Sequence, residues 1–142
     1  MSVTCNIFQT WVDYMVEDAD LASDTFKVTF CAAASEPSVS EDGLIADISQ
    51  IATIANCDSV TITTTSSSQT AGTYKLVLED KVVTATDTFG PLQFAVVYDD
   101  TVASDPLVCY YDYGSEITLA AAETLTVDFD ADNGVFSIAP PA

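Results

Sequence analysis

Leu92-Gln93-Phe94-Ala95-Val96-Val97-Tyr98 is nearly unbroken in its apolar character, and it ends abruptly at Asp99-Asp100. A run this short, rich in β-branched and aromatic residues, predicts a central strand buried on both faces. The chain around it reads as β in the same way. Thr25-Phe26-Lys27-Val28-Thr29-Phe30 alternates, with Phe26, Val28 and Phe30 on one face. Leu125-Thr126-Val127-Asp128-Phe129 alternates too, and Asn133-Gly134 then predicts a tight hairpin turn with Val135 to Ile138 as the returning strand. Val60 to Thr63 begins a Thr-rich strand, Tyr74 to Val83 forms a strand or a pair bent at Asp80, and Leu107 to Tyr113 forms another, closed by Gly114. Ser66 to Gly72 reads as a mobile loop, residues 34–43 read as loop, and Leu44 to Ile54 fits a short helix as well as an irregular strand.

The opening is different. Ile7, Phe8, Trp11, Val12 and Met15 recur at helical spacing within residues 5–17, with Asn6, Gln9, Thr10, Asp13 and Glu17 on the other side. This predicts an amphipathic helix within an N-terminal arm, residues 1–20, docked either on the core or on another subunit. The whole of 1–142 is expected to be one β-rich domain, an antiparallel sandwich or barrel of about seven to eight short strands with a short N-terminal helix. A chain of this length can bury roughly 70% of its unfolded surface, so it needs no staples.

Charge narrows the function. Twenty-two carboxylates face three lysines, Lys27, Lys75 and Lys81, with no arginine or histidine, for a net charge of -19. Phosphate recognition draws on clustered Lys and Arg, so nucleic acid is not an expected partner. Without histidine, the Ser-His-Asp and Cys-His arrangements are excluded. No apolar stretch is long enough to span a membrane, and a negative skin is repelled by anionic lipid. The first twenty residues carry Asp13, Glu17, Asp18 and Asp20 and no basic segment, so no secretory signal is expected. The mean hydropathy of +0.28 hints at apolar surface covered by neighbouring subunits. Cys5, Cys31, Cys57 and Cys109 lack zinc or redox spacing and read as small apolar residues kept reduced.

Three constellations could carry chemistry. Asp128, Asp130 and Asp132 alternate before Asn133-Gly134 and suggest a calcium loop. The glycine comes one residue late, and Ala139 stands where the bidentate acid belongs, so a plain turn explains them as well. Asp99, Asp100 and Asp105 are close in sequence, but nothing fixes the separation that glycosidic chemistry needs. Tyr98, Tyr110, Tyr111 and Tyr113 suit core packing, a protein interface or sugar stacking. No cofactor is implied.

A layout then emerges: Phe8 and Trp11 in the opening, Asp24-Thr25-Phe26-Lys27-Val28, Ala46-Asp47-Ile48-Ser49-Gln50-Ile51, and Gly90-Pro91-Leu92-Gln93-Phe94-Ala95-Val96-Val97-Tyr98-Asp99-Asp100, followed by Asp105-Pro106-Leu107-Val108 and Tyr111-Asp112-Tyr113-Gly114. It resembles small structural proteins of tailed bacteriophages, some of them capsid decoration, or cement, proteins. A Thr/Ser stretch around Thr61 to Thr73 replaces the glycine-rich middle associated with that group. The resemblance implies a virion protein made in the host cytoplasm and placed on the capsid exterior, with no catalytic residues. Its partners would be the major capsid protein and copies of itself in a symmetric homo-oligomer, a trimer being one form. Phe8, Trp11, Tyr111 and Tyr113 are the expected partner-binding residues. The alternatives are a tail or fibre-attachment module of the virion, and a carbohydrate- or calcium-binding β-sandwich.

Overall fold

A computed structural model describes residues 5–141. The strands are β1 (Cys5–Ile7), β2 (Phe26–Cys31), β3 (Thr61–Ile62), β4 (Thr64–Thr70), β5 (Thr73–Leu78), β6 (Lys81–Thr84), β7 (Phe89–Asp99), β8 (Leu107–Leu119), β9 (Thr124–Val127) and β10 (Phe136–Ile138), with one α-helix, α1 (Trp11–Glu17). They form three antiparallel sheets, ordered β1-β8-β7-β2-β3, β10-β5-β4 and β6-β9. The fold is mainly β with a short helix near the N-terminus, as the alternation predicts.

The apolar run sits where its composition requires. β7 lies between β8 and β2, and Phe94, Ala95, Val96 and Val97 are all buried. Directly paired residues share a sheet face. One face therefore carries Phe26, Val28 and Phe30 beside Ala95 and Val97, and then Cys109 and Tyr111. The smaller sheets cover it: Trp11 bridges Phe26 and Phe136, and Tyr111 meets Phe129 edge-on at 5.7 Å. The opposite face carries Thr29, Val96, Phe94 and Tyr110. The irregular segment 32–57 lies over it, with Ile51 N–H donating to the Phe30 carbonyl at 2.9 Å and Thr29 hydrogen-bonded to Gln50. One cluster of buried side chains joins all three sheets.

Four expectations are corrected. The opening stripe belongs to two elements, not one helix. Cys5–Ile7 is a strand on the edge of β8, and the helix starts only at Trp11. Phe8 packs against Tyr110 on one side of the large sheet while Trp11 packs against Phe26 on the other, so the shared spacing is coincidental. The Ser66 to Gly72 loop is instead mostly strand. Ala71 and Gly72 both take positive φ, 51° and 86°, which makes a two-residue hairpin turn, and the Ser/Thr tract pairs through its backbone with β5. β8 does not close at Gly114 but runs on to Leu119. Three extra residues bulge out between Asp112 and Ile117, opposite Phe94 and Leu92, and the Asp112 carboxylate accepts the Gly114 N–H at 2.7 Å. Finally, Val135 to Ile138 does not return along β9. β10 pairs with β5 and β9 pairs with β6, because Val135 N–H donates to the Leu76 carbonyl at 2.8 Å. Gly134 is required there, since a Cβ would lie 2.6 Å from that same carbonyl oxygen and φ is +76°. Within Leu44 to Ile54, the regular element is a single 3₁₀ turn, Ile45–Asp47.

Candidate interaction surface

The aromatic residues expected to meet a partner are enclosed by the chain itself. Phe8 and Trp11 are fully buried, and Tyr111 and Tyr113 are buried with less than a tenth of their surface exposed. The sequence made them conspicuous because large aromatics dominate both cores and interfaces. Here the core has them. Among the described residues, the indole N–H of Trp11 has no acceptor. Tyr111 faces Cys5 and Cys109: contact with Cys109 holds the Cys5 thiol below its usual range, while burial pushes Cys109 and Tyr111 up. All four cysteines are free thiols, with Cys31 and Cys109 buried and Cys5 and Cys57 half-buried.

The Asp-rich turn is built as a turn. Asp130 Oδ1 accepts the Asp132 and Asn133 N–H groups at 2.9 and 2.8 Å, and Oδ2 accepts from Asn133 Nδ2 at 2.8 Å. The Asn133 side chain, followed by those two N–H groups, lowers the Asp130 carboxyl below its usual range. Asp132 contributes its backbone carbonyl to Lys75 Nζ at 2.8 Å, and Asp128 is exposed beside Tyr113. Among the described residues, no group of three or more His, Cys, Asp or Glu is placed to hold a metal ion.

Asp99, Asp100 and Asp105 have separate tasks, and that of Asp105 lies in its backbone, whose carbonyl accepts the Ile45 N–H at 3.0 Å. Asp100 pairs with Lys27 at 2.8 Å, the single ion pair among the described residues. Asp99 is fully buried at the end of β7. Its Oδ1 accepts the Thr101 and Val102 N–H groups at 2.9 and 3.2 Å, while Oδ2 has no hydrogen-bond partner. Burial, opposed by the Thr101 N–H and reinforced by the neighbouring Asp24 carboxyl, pushes Asp99 up to about 6.

What the chain offers outward is different from what the sequence singled out. On α1, Trp11 and Met15 turn inward, leaving Val12 and Val16 52% and 75% exposed, one helical turn apart. The sequence hides this exposed pair because Val12 falls at the helical spacing of the apolar stripe with Trp11 and Met15. Val82 and Ile138 are also about half exposed, singly and on other elements, and one long stretch of the chain stands out from the acidic remainder. From Ser59 to Leu78 there is no carboxylate and one lysine, Lys75. This stretch forms β3, β4 and β5, and Ser66, Ser68, Thr70, Thr73 and Lys75 on it line an open groove together with Asp132. No family model, curated protein or solved structure matches the chain.

Proposed function

We propose that this chain is a structural protein of a tailed-bacteriophage virion, a decoration (cement) subunit that binds the outside of the mature head and is not an enzyme. The observation that carries the reading is the exposed Val12 and Val16 pair on a strongly acidic exterior. Apolar area left open on a helix gains free energy when covered, roughly 25 cal/mol per Å² removed from water, and a protein surface supplies that cover. The -19 charge keeps decorated particles apart and repels packed nucleic acid. The contact offered to the major capsid protein is α1 together with the adjoining half-buried Ala19 and Leu21.

A subunit that recognises only the expanded lattice stabilises that lattice by mass action. Many modest contacts repeated over a symmetric shell then act together. The test uses expanded capsids that lack this protein. Adding the purified chain is expected to raise their melting temperature, and V16E, changed at a site with no packing role, is expected to fold normally and lose most of that effect. Capsids whose stability is indifferent to the wild-type chain would refute the reading.

A further inference from the structure

We propose that β4 is a self-association edge, joining two copies of this chain through antiparallel β4–β4 pairing about a two-fold axis. β4 lies at the margin of the three-stranded sheet and pairs only with β5, so among the described residues its outer backbone edge has no strand partner. The other marginal strands are short: β1 and β10 have three residues, β3 two, and β6 and β9 four each, while the part of β8 that runs on past β1 is bulged and carries Asp112 and Glu116. β4 has seven, with neither proline nor a charged side chain. Folded proteins ordinarily blunt an edge of this length with lysine, proline or a bulge. The one bulge here lies at the start, between Thr64 and Ser66, and the register is regular from Ser66 to Thr70.

Charge selects the occupant. A partner rich in lysine and arginine would be drawn to the acidic remainder of the surface, not to this strip. A second copy is repelled almost everywhere by a net charge of -19, but the twenty residues from Ser59 to Leu78 set no carboxylate against another. Antiparallel pairing centred on Ser68 places Ser68 of one copy opposite Ser68 of the other, and Ser66 opposite Thr70. These small hydroxyl side chains hydrogen-bond across strands without crowding. The result is one six-stranded sheet, ordered β10-β5-β4-β4-β5-β10, with both Lys75 side chains on the groove face. A two-fold axis suits such a self-complementary edge, because each strand presents the same surface to the other.

This deepens the self-association side of the capsid reading and borrows only its setting. It is tested without capsids, so either can fail alone. Sedimentation equilibrium of the full chain is expected to give a monomer–dimer equilibrium that tightens with added salt as repulsion is screened. S68E sets two carboxylates face to face across the axis on an exposed position, and is expected to weaken dimerisation by about ten-fold or more. V16E, on the helix, is expected to leave it unchanged. A chain that stays monomeric at high salt, a trimer, a dimer indifferent to S68E, or one broken by V16E would each overturn the proposal. If circular dichroism shows S68E misfolded, hydrogen exchange of the wild-type β4 amides decides. Protection that grows with protein concentration supports the pairing, and protection independent of concentration removes it.

Discussion

Replacing Asp99 with asparagine separates the packing of the β7 terminus from its charge. The amide keeps the shape of the carboxyl, its Oδ1 continues to accept from Thr101 and Val102, and its Nδ2 replaces the unpartnered oxygen with a donor facing Asp24. The carboxyl is shifted up from 3.8 to about 6. An acid raised in the folded state gives stability that is fully present below its unfolded value and is lost as pH rises through the folded one. A shift of this size corresponds to about 3 kcal/mol lost between acid and neutral pH, since one unit is worth about 1.4 kcal/mol. About half of that loss is complete by about pH 5. The stability difference between D99N and wild type should therefore grow in favour of D99N by roughly 1–1.5 kcal/mol between about pH 5 and about pH 8. Urea unfolding followed by the fluorescence of Trp11, the only tryptophan, measures it in parallel series. Repulsion among the more distant carboxylates tilts both curves alike, so their difference isolates Asp99 together with its neighbour Asp24. A difference that does not change with pH would refute the reasoning, as would a variant less stable than wild type at about pH 8.

Two further outcomes test the assignment of residues to core and turn. W11A is expected to destabilise the chain by about 3–5 kcal/mol in urea titration, the usual cost of emptying a buried aromatic site; a variant that unfolds like wild type but loses capsid binding would return Trp11 to the interface. G134A is expected to cost at least about 1–2 kcal/mol from its left-handed backbone alone, before the clash with the Leu76 carbonyl oxygen 2.6 Å away. A melting temperature equal to that of wild type would show that the turn over β5 is built differently.

The strands legible in the sequence are those whose side chains report burial directly. Phe26, Val28 and Phe30 alternate because one face of β2 meets the smaller sheets, and the run into Val97 is continuous because both faces of β7 are covered. β4 was not legible. Its Ser and Thr side chains bury little, and its place in a sheet depends on backbone bonds to β5 and on positive φ at Ala71, which alanine rarely adopts. For the aromatic candidates the sequence leaves core and interface both open, and the structure places Phe8, Trp11, Tyr111 and Tyr113 in the core. An isolated sequence shows that Trp11 lies in an apolar pattern, but not whether Phe26 and Phe136 or a second protein completes its surroundings.

Composition and periodicity alone settle that this chain is a β-rich, acidic molecule without histidine chemistry, because charge and residue type are local properties that survive any folding. Only the tertiary structure decides that β10 joins β5 and not β9, that Asp130 uses its oxygens on its own turn, and that Val12, Val16 and an uncharged strand edge face outward. Those outcomes depend on which residues distant in sequence come into contact, and contact across the chain is set by packing and backbone pairing, which no local pattern encodes.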